Sequence, residues 1–282
     1  MSSFQKPVQG GCMEETITQT DLKPILAQQC GNRIFAQVLN GIANKEALLN
    51  VLARYIHFNS SFGGGVANLA GEIAVRQDLF RDPHDPFSLT ADRSVEIASK
   101  IFFAEIDEFY DQAASHRALA QQTLKKTGDF FGYDPSALES MVRINKTTHD
   151  AVAEVRTGYR INQSVDDYFL FCALGFHMAS EILADEEFRL LDDFLRKKYP
   201  GLVHFLENTE IEMSGIARNA YHWIRIHTSV EADHFAFASI AANESLRYYA
   251  GRENHKRIKE WILEGFTTFT AMHARFMIRL GD

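Results

Sequence analysis

The sequence predicts an all-α fold, a single bundle of about seven helices. Three observations carry this. Apolar residues recur at helical spacing through most of the chain. No segment shows sustained period-two alternation, and no Asn-Gly or Asp-Gly pair is flanked by strand-forming runs. Apolar residues make up 46% of the 282, enough to fill a substantial helical core.

The elements follow in order. Residues 1–19 are polar, with Pro7 and Gly10-Gly11, and read as a flexible leader to a helical domain over 20–282. Thr20 or Asp21 is placed to cap a first helix that Asn40-Gly41 ends near Leu39. Asn44 opens a second, whose apolar stripe runs from Leu48 to Ile56. Gly63-Gly64-Gly65 then marks a kink or a close approach. Residues 80–92, with two prolines, read as a connection to one long helix over 93–126. Residues 128–135 form a loop, and another helix covers 136–160. A turn at 162–166, with Ser164 as cap, leads into a helix over 165–198 that Pro200-Gly201 stops. An acidic, ambiguous stretch over 202–214 precedes helices over 215–249 and 253–280. The last is amphipathic, suited either to closing the core or to pairing in a homodimer.

Composition excludes several classes of function. A net charge of −8 with no basic run argues against a nucleic-acid surface. No apolar run reaches membrane-spanning length, and the N-terminus lacks the apolar core of a signal peptide. Cys12, Cys30 and Cys172 are scattered without metal-type spacing, which suits a reducing cytoplasm.

The chemistry concentrates in Tyr221 to Ala238, YHWIRIHTSVEADHFAFA. His227, Glu231 and His234 sit at i, i+4 and i+7, one stripe of a helix. They lie among apolar residues, and buried ionisable groups need partners. A hydrogen-bonded core histidine is the plain reading of any one of them; three donors on one stripe favour a metal. Glu231 to His234 also has the Glu-x-x-His spacing of helical di-iron carboxylate proteins.

Two other helices offer donors. Glu105, Gln112 and His116 share a stripe, but on a straight helix Glu105 and His116 stand about 16 Å apart at ~1.5 Å per residue. One metal pair reaches both only if the helix bends or unwinds, and Glu108 is the alternative carboxylate. Glu181 follows Phe169, Phe171, Leu174 and Phe176, where a salt bridge to a core Arg or His is the plain alternative to a metal. His177, one turn earlier, is placed to pair with Glu181 or support it. Asp185, Glu186, Glu187, Asp192 and Asp193 read as a solvated face, and His57 and His149 as core or surface histidines. The set Glu105, His116, Glu181, His227, Glu231 and His234 suits iron or manganese better than a structural zinc.

Four segments resemble one family. AEIDEFYDQAASHRALAQQTL is similar to its first ligand helix, and ASEILADEEFRLL places Glu181 at the single carboxylate of its second. HTSVEADH matches its His-x3-Asp-x2-His, with Glu231 in place of Asp. GNRIFAQVLNGIANKEALLNVLARYIHF resembles its N-terminal helix pair. The family is the heme-oxygenase-like di-iron oxidases and oxygenases, related to the thiaminase and PQQ-synthase helical fold. The likeness covers most of residues 21–240. The first motif has one extra residue between Glu and His, and Gln112 stands where some N-oxygenating relatives carry a carboxylate.

The resemblance implies two Fe2+ ions, with Mn as a substitute, activating O2 with electrons from an external donor. The substrate would be a small molecule of specialised metabolism: an amine for N-oxygenation, or an amino or fatty acid for desaturation or cleavage. The pocket is expected near Gly63–Gly65, Phe103, Phe171 and Phe176. A metal-free enzyme of the PQQ-synthase or thiaminase type is the alternative, its histidines acting on an organic substrate. A heme carrier needs only one axial His and ranks behind both.

Overall fold

The computed structural model describes residues 15–29, 31–104, 106–109 and 114–282; the side chains of residues 104, 107, 108 and 229–232 lie outside that description. The described residues form thirteen helical segments and one short hairpin, so the all-α expectation holds while the helix count does not.

Breaks account for most of the difference. The expected first helix is two, α1 (Gln19–Gln28) and α2 (Gly31–Gly41), separated where Gln29 is extended. Thr18, not Thr20 or Asp21, caps α1, in a reciprocal capping box with Asp21. A side chain at Gly31 would fall 2.2 Å from His273 Nδ1, so α2 begins where only glycine fits. Next come α3 (Lys45–Asn59) and α4 (Phe62–Ala74), with Gly63–Gly65 inside the first turn of α4.

The expected 93–126 helix is divided into α5 (Ser94–Ala104), α6 (Ile106–Phe109) and α7 (His116–Phe130). Ser115 is extended at φ −69°, ψ 152°, and its hydroxyl accepts from Ala118 N, a cap that starts a fresh helix at His116. The straight-helix separation of Glu105 and His116 therefore does not apply. Likewise 136–160 is α8 (Pro135–Met141) and α9 (Lys146–Gly158), the second opened by Asn145. Asp166, rather than Ser164, caps α10 (Asp167–Lys198). Pro200 does not simply stop α10; it opens α11 (Pro200–Asn208), where its missing N–H costs nothing.

The ambiguous 202–214 stretch divides between α11 and the first strand of an antiparallel hairpin, β1 (Glu210–Met213). Its partner β2 (Ile216–Asn219), with Met213 opposite Ile216, takes the start of the expected 215–249 helix, which instead begins at His222. Ser214 and Gly215 both have positive φ, 52° and 81°, the backbone a two-residue hairpin turn requires. Ser214-Gly215 is the turn signal here, in place of the commoner Asn-Gly or Asp-Gly. The helices α12 (His222–Arg247) and α13 (His255–Arg279) complete the chain.

The long helix α10 lies between α12 and α13, so its middle, from Leu170 to Leu183, is buried on nearly all sides, while its C-terminal half keeps an exposed face. Asn32 ties α2 to it, its Nδ2 donating to the Leu183 carbonyl at 3.1 Å and to Glu186 Oε2 at 2.8 Å. The amphipathic face of α13 is used inside the chain, against α10, α2 and α9. The guanidinium of Arg54 is also buried, donating from Nε to the Arg143 carbonyl and from Nη1 to the Leu280 carbonyl, each at 2.9 Å. Among the described residues no helix is long and apolar enough to cross a membrane.

At the crossing of α10 and α13 the backbones touch. A Cβ at Gly175 would lie 1.7 Å from the Ile262 carbonyl oxygen, and one at Gly265 would lie 1.8 Å from that of Cys172. Backbone cannot yield as a side-chain tip does. Gly175→Ala is therefore expected to cost about 1–3 kcal/mol or more, read as a lower urea midpoint at unchanged slope. Gly64, whose Cβ would meet nothing within 4 Å, is the control: Gly64→Ala should match or exceed the parent, by up to ~1 kcal/mol.

Candidate functional site

The middle of α10 presents His177 and Glu181 one turn apart, both buried. From α12, His227 and His234 reach the same region, and from α7 comes His116. Glu181 Oε1 stands 3.3 Å from His177 Nδ1, and its Oε2 stands 3.7 Å from His234 Nδ1. The rings of His116 and His227 meet edge to face with centroids 4.5 Å apart. The fold thus brings His116, Glu181, His227 and His234 together from three helices, with His177 beside them. Glu105 and Gln112 lie outside the described residues, as do the side chains of Glu108 and Glu231, although Glu231 occupies its expected turn of α12.

The surroundings orient these groups. His227 Nδ1 lies 2.6 Å from the Trp223 carbonyl. A carbonyl only accepts, so Nδ1 carries a proton and Nε2 is the atom that would face a metal. Phe188 stacks on the same ring at 4.1 Å and 18°. Tyr159 Oη lies 3.2 Å from both His177 Nδ1 and Ser180 Oγ, and Ser180 Oγ lies 3.2 Å from Glu181 Oε1. Burial, then the charge of His234, pushes the His177 pKa down to about 3, so this imidazole stays neutral and gives Glu181 no countercharge.

A cavity of about 40 Å³ sits at the cluster, bordered by Glu181, His227, His234, Glu187 and the rings of Phe58, Phe62, Phe188 and Phe269. These aromatics replace the border expected from sequence. Phe103 is 60% exposed and packs on Phe237. Phe171 packs on Phe80 and Tyr249, and Phe176 on Tyr159 and Phe269.

Glu187 is a second correction. It is 4% exposed, not part of a solvated face. Its Oε1 lies 2.8 Å from Nε2 of the fully buried His273 on α13, a close contact rather than an aligned hydrogen bond. Asp185, Glu186, Asp192 and Asp193 do lie on a partly or fully exposed side of α10, while Glu187 falls under α13. His273, alone among Phe269, Met272, Phe276 and Met277, was the signal for a buried carboxylate opposite. His57 and His149 are not isolated either, their rings meeting edge to face at 5.2 Å.

The donor chemistry fits a metal centre: buried carboxylates, imidazoles, and one tautomer fixed by a carbonyl. Arg54, the buried cation of the described core, is committed to the Arg143 and Leu280 carbonyls. Two donors ~2.1 Å from one ion lie roughly 3.0–3.5 Å apart, and Glu181 Oε2 and His234 Nδ1, at 3.7 Å, stand close to that. Among the described residues no three such side chains form a complete metal-binding group.

Removing His273 leaves Glu187 sealed without its partner. His273→Ala is expected to cost about 3–5 kcal/mol in urea denaturation. The Glu187→Gln/His273→Ala double variant should be less destabilised than the sum of the singles by about 0.5–3 kcal/mol. Strictly additive costs would show that the two groups do not interact.

No family model matches the chain, and no curated protein matches it. Among solved structures it is similar to a TenA homolog from Pseudomonas syringae pv. tomato, with a TM-score of 0.56 at 10% identity over 93% of this chain and 89% of that one. It also aligns with a domain of unknown function with a heme oxygenase-like fold from Shewanella denitrificans, at a TM-score of 0.49 and 12% identity over 94% and 93% of the two chains. At such identities the likeness to the TenA homolog shows the fold alone, and the all-α architecture is that fold.

Proposed function

We propose that the buried cluster on α7, α10 and α12 holds a non-heme di-iron centre and that the protein is an O2-dependent oxidase or oxygenase of a small molecule. The observation that carries this is the gathering of His116, Glu181, His227 and His234 from three helices, with Glu181 Oε1 3.3 Å from His177 Nδ1 and its Oε2 3.7 Å from His234 Nδ1. Burying a carboxylate among imidazoles costs several kcal/mol, and a bound cation would offset that cost.

His116, Glu181, His227 and His234 would hold the irons, joined by Glu231 from the i+4 position of α12 and by Glu105 or Glu108 from the segment before α7. Manganese suits the same donors. When bound and reduced by an external donor, the iron pair supplies dioxygen with the electrons to oxidise an unactivated bond. The chain's own part is positional. The Trp223 carbonyl fixes the His227 tautomer. Tyr159 and Ser180 set the Glu181 carboxylate. Phe58, Phe62, Phe188 and Phe269 limit water at the cavity. Both N-oxygenation of an amine and desaturation or cleavage of an amino or fatty acid fit such a site.

A second reading is a metal-free enzyme of the PQQ-synthase or thiaminase type. It is favoured by the direct Glu181–His177 contact, a carboxylate beside a neutral imidazole able to exchange a proton with a substrate. Metal analysis after expression in iron-supplemented medium separates the two. The di-iron reading expects about two irons per chain, O2 consumption with a reductant, and loss of iron in His227→Ala and His234→Ala. Full iron and activity in both variants, or no iron in the parent protein, would overturn it.

A further inference from the structure

We propose that the outer face of α5, α6 and α12 is the interface of a two-fold homodimer, with a second copy of this chain as its occupant. The interface needs no metal and stands apart from the function proposed above.

The helix α5 is apolar on two sides. Ile97, Ala98 and Ile101 are buried where α5 packs on α4 and α12. Val95, Phe102 and Phe103, at i, i+7 and i+8, share the opposite stripe and are exposed. A helix that is apolar around most of its girth is ordinarily covered on every side.

The exposed surface continues beyond α5 through ring contacts. Phe102 stacks with Phe109 of α6 at 6.4 Å, and Phe103 packs on Phe237 of α12 at 5.1 Å. Ile106 opens α6, and Ile240 lies about one turn beyond Phe237 on α12. Of the eleven large apolar side chains exposed among the described residues, six stand on these three helices. Singly scattered apolar residues need no explanation, whereas a contiguous set marks an interaction surface.

The size of the face and its charges select the occupant. Its six exposed residues keep 42% to 61% of their surface open, roughly 500 Å² of apolar area if a whole aromatic side chain covers ~150–250 Å². A standard interface buries about 800 Å² per partner. A homodimer interface is about 65% apolar, which again gives about 500 Å². The edge of the face holds both signs, with Glu96 and Lys100 of α5 and Arg247 of α12 around Glu244. Mixed signs provide no field to select an acidic or a basic partner, and they suit contact between like copies. A net charge of −8 disfavours an anionic lipid surface. Because α12 also carries the buried His227 and His234, the second copy braces from outside a helix that supplies two donors of the cluster.

The test is sedimentation velocity of the full chain from about 1 to 100 µM. The parent should sediment at twice the chain's mass, with a Kd of about 10 µM or tighter. The Phe102→Lys/Ile106→Lys double variant should weaken association by about 100-fold or more. Ile278→Lys, at an exposed apolar residue of α13, should leave the Kd within about threefold. The thermal midpoint of each variant confirms that it folds. In the parent, amide exchange of α5 should slow as concentration rises, while the last turn of α13 should not respond. A parent that stays monomeric at about 100 µM, an open series of larger assemblies, or a dimer that the folded double variant leaves intact would overturn the assignment. So would concentration-dependent protection that spares α5, or a monomer that instead floats with phosphatidylcholine vesicles. The readout is independent of iron. A metal-free protein that dimerises through this face sinks only the di-iron reading, and an iron-loaded monomer sinks only the interface.

Discussion

Two carboxylates in the interior of one helix set the terms for everything around them. Glu181 and Glu187 both lie on α10, both almost without exposure. A buried charge is too costly to leave without polar neighbours. Imidazoles from two other helices stand against these carboxylates: His234 on α12 faces Glu181, and His273 on α13 faces Glu187. The helix must therefore run between two others, and α10 does. His177 adds a neutral ring whose proton affinity burial has already lowered, so the balance of charge at Glu181 falls on groups or ions beyond α10 itself.

The two sides of α10 answer this demand differently. Toward α13 the crossing is closed, with Gly175 and Gly265 bringing backbone against backbone. Further along α10, Glu187 meets His273 and also borders the inner cavity. Toward α12 and α3 the packing leaves small voids bounded by aromatic rings.

Much of this was legible in the residues. The helical class followed from spacing, and Asn44 capped its helix as the sequence indicated. His227 and His234 fell on one stripe, and Glu181 stood out because four large apolar residues precede it. What was hidden depended on long-range packing. Nothing local marks Glu187 as buried, since its neighbours Asp185 and Glu186 are acidic and the covering helix is some eighty residues away. The break before His116 rests on one hydroxyl cap at Ser115, and a serine in an acidic, helix-rich run is easily read as helical interior. The lining of the cavity was misassigned for a related reason. With 22 phenylalanines in the chain, composition cannot say which rings meet, and Phe103 points outward while Phe58 and Phe269 point in.

The buried guanidinium of Arg54 gives the end of α13 a mechanical importance that its position would not suggest. It rises from α3, the helix whose next turn borders the inner cavities with Phe58 and Asn59, and it is held by the carbonyls of Arg143 and Leu280. Proteolytic clipping ahead of Leu280 would remove one of the two acceptors of a buried cation. The damage would then travel along α3 to those cavities rather than stay at the frayed tip.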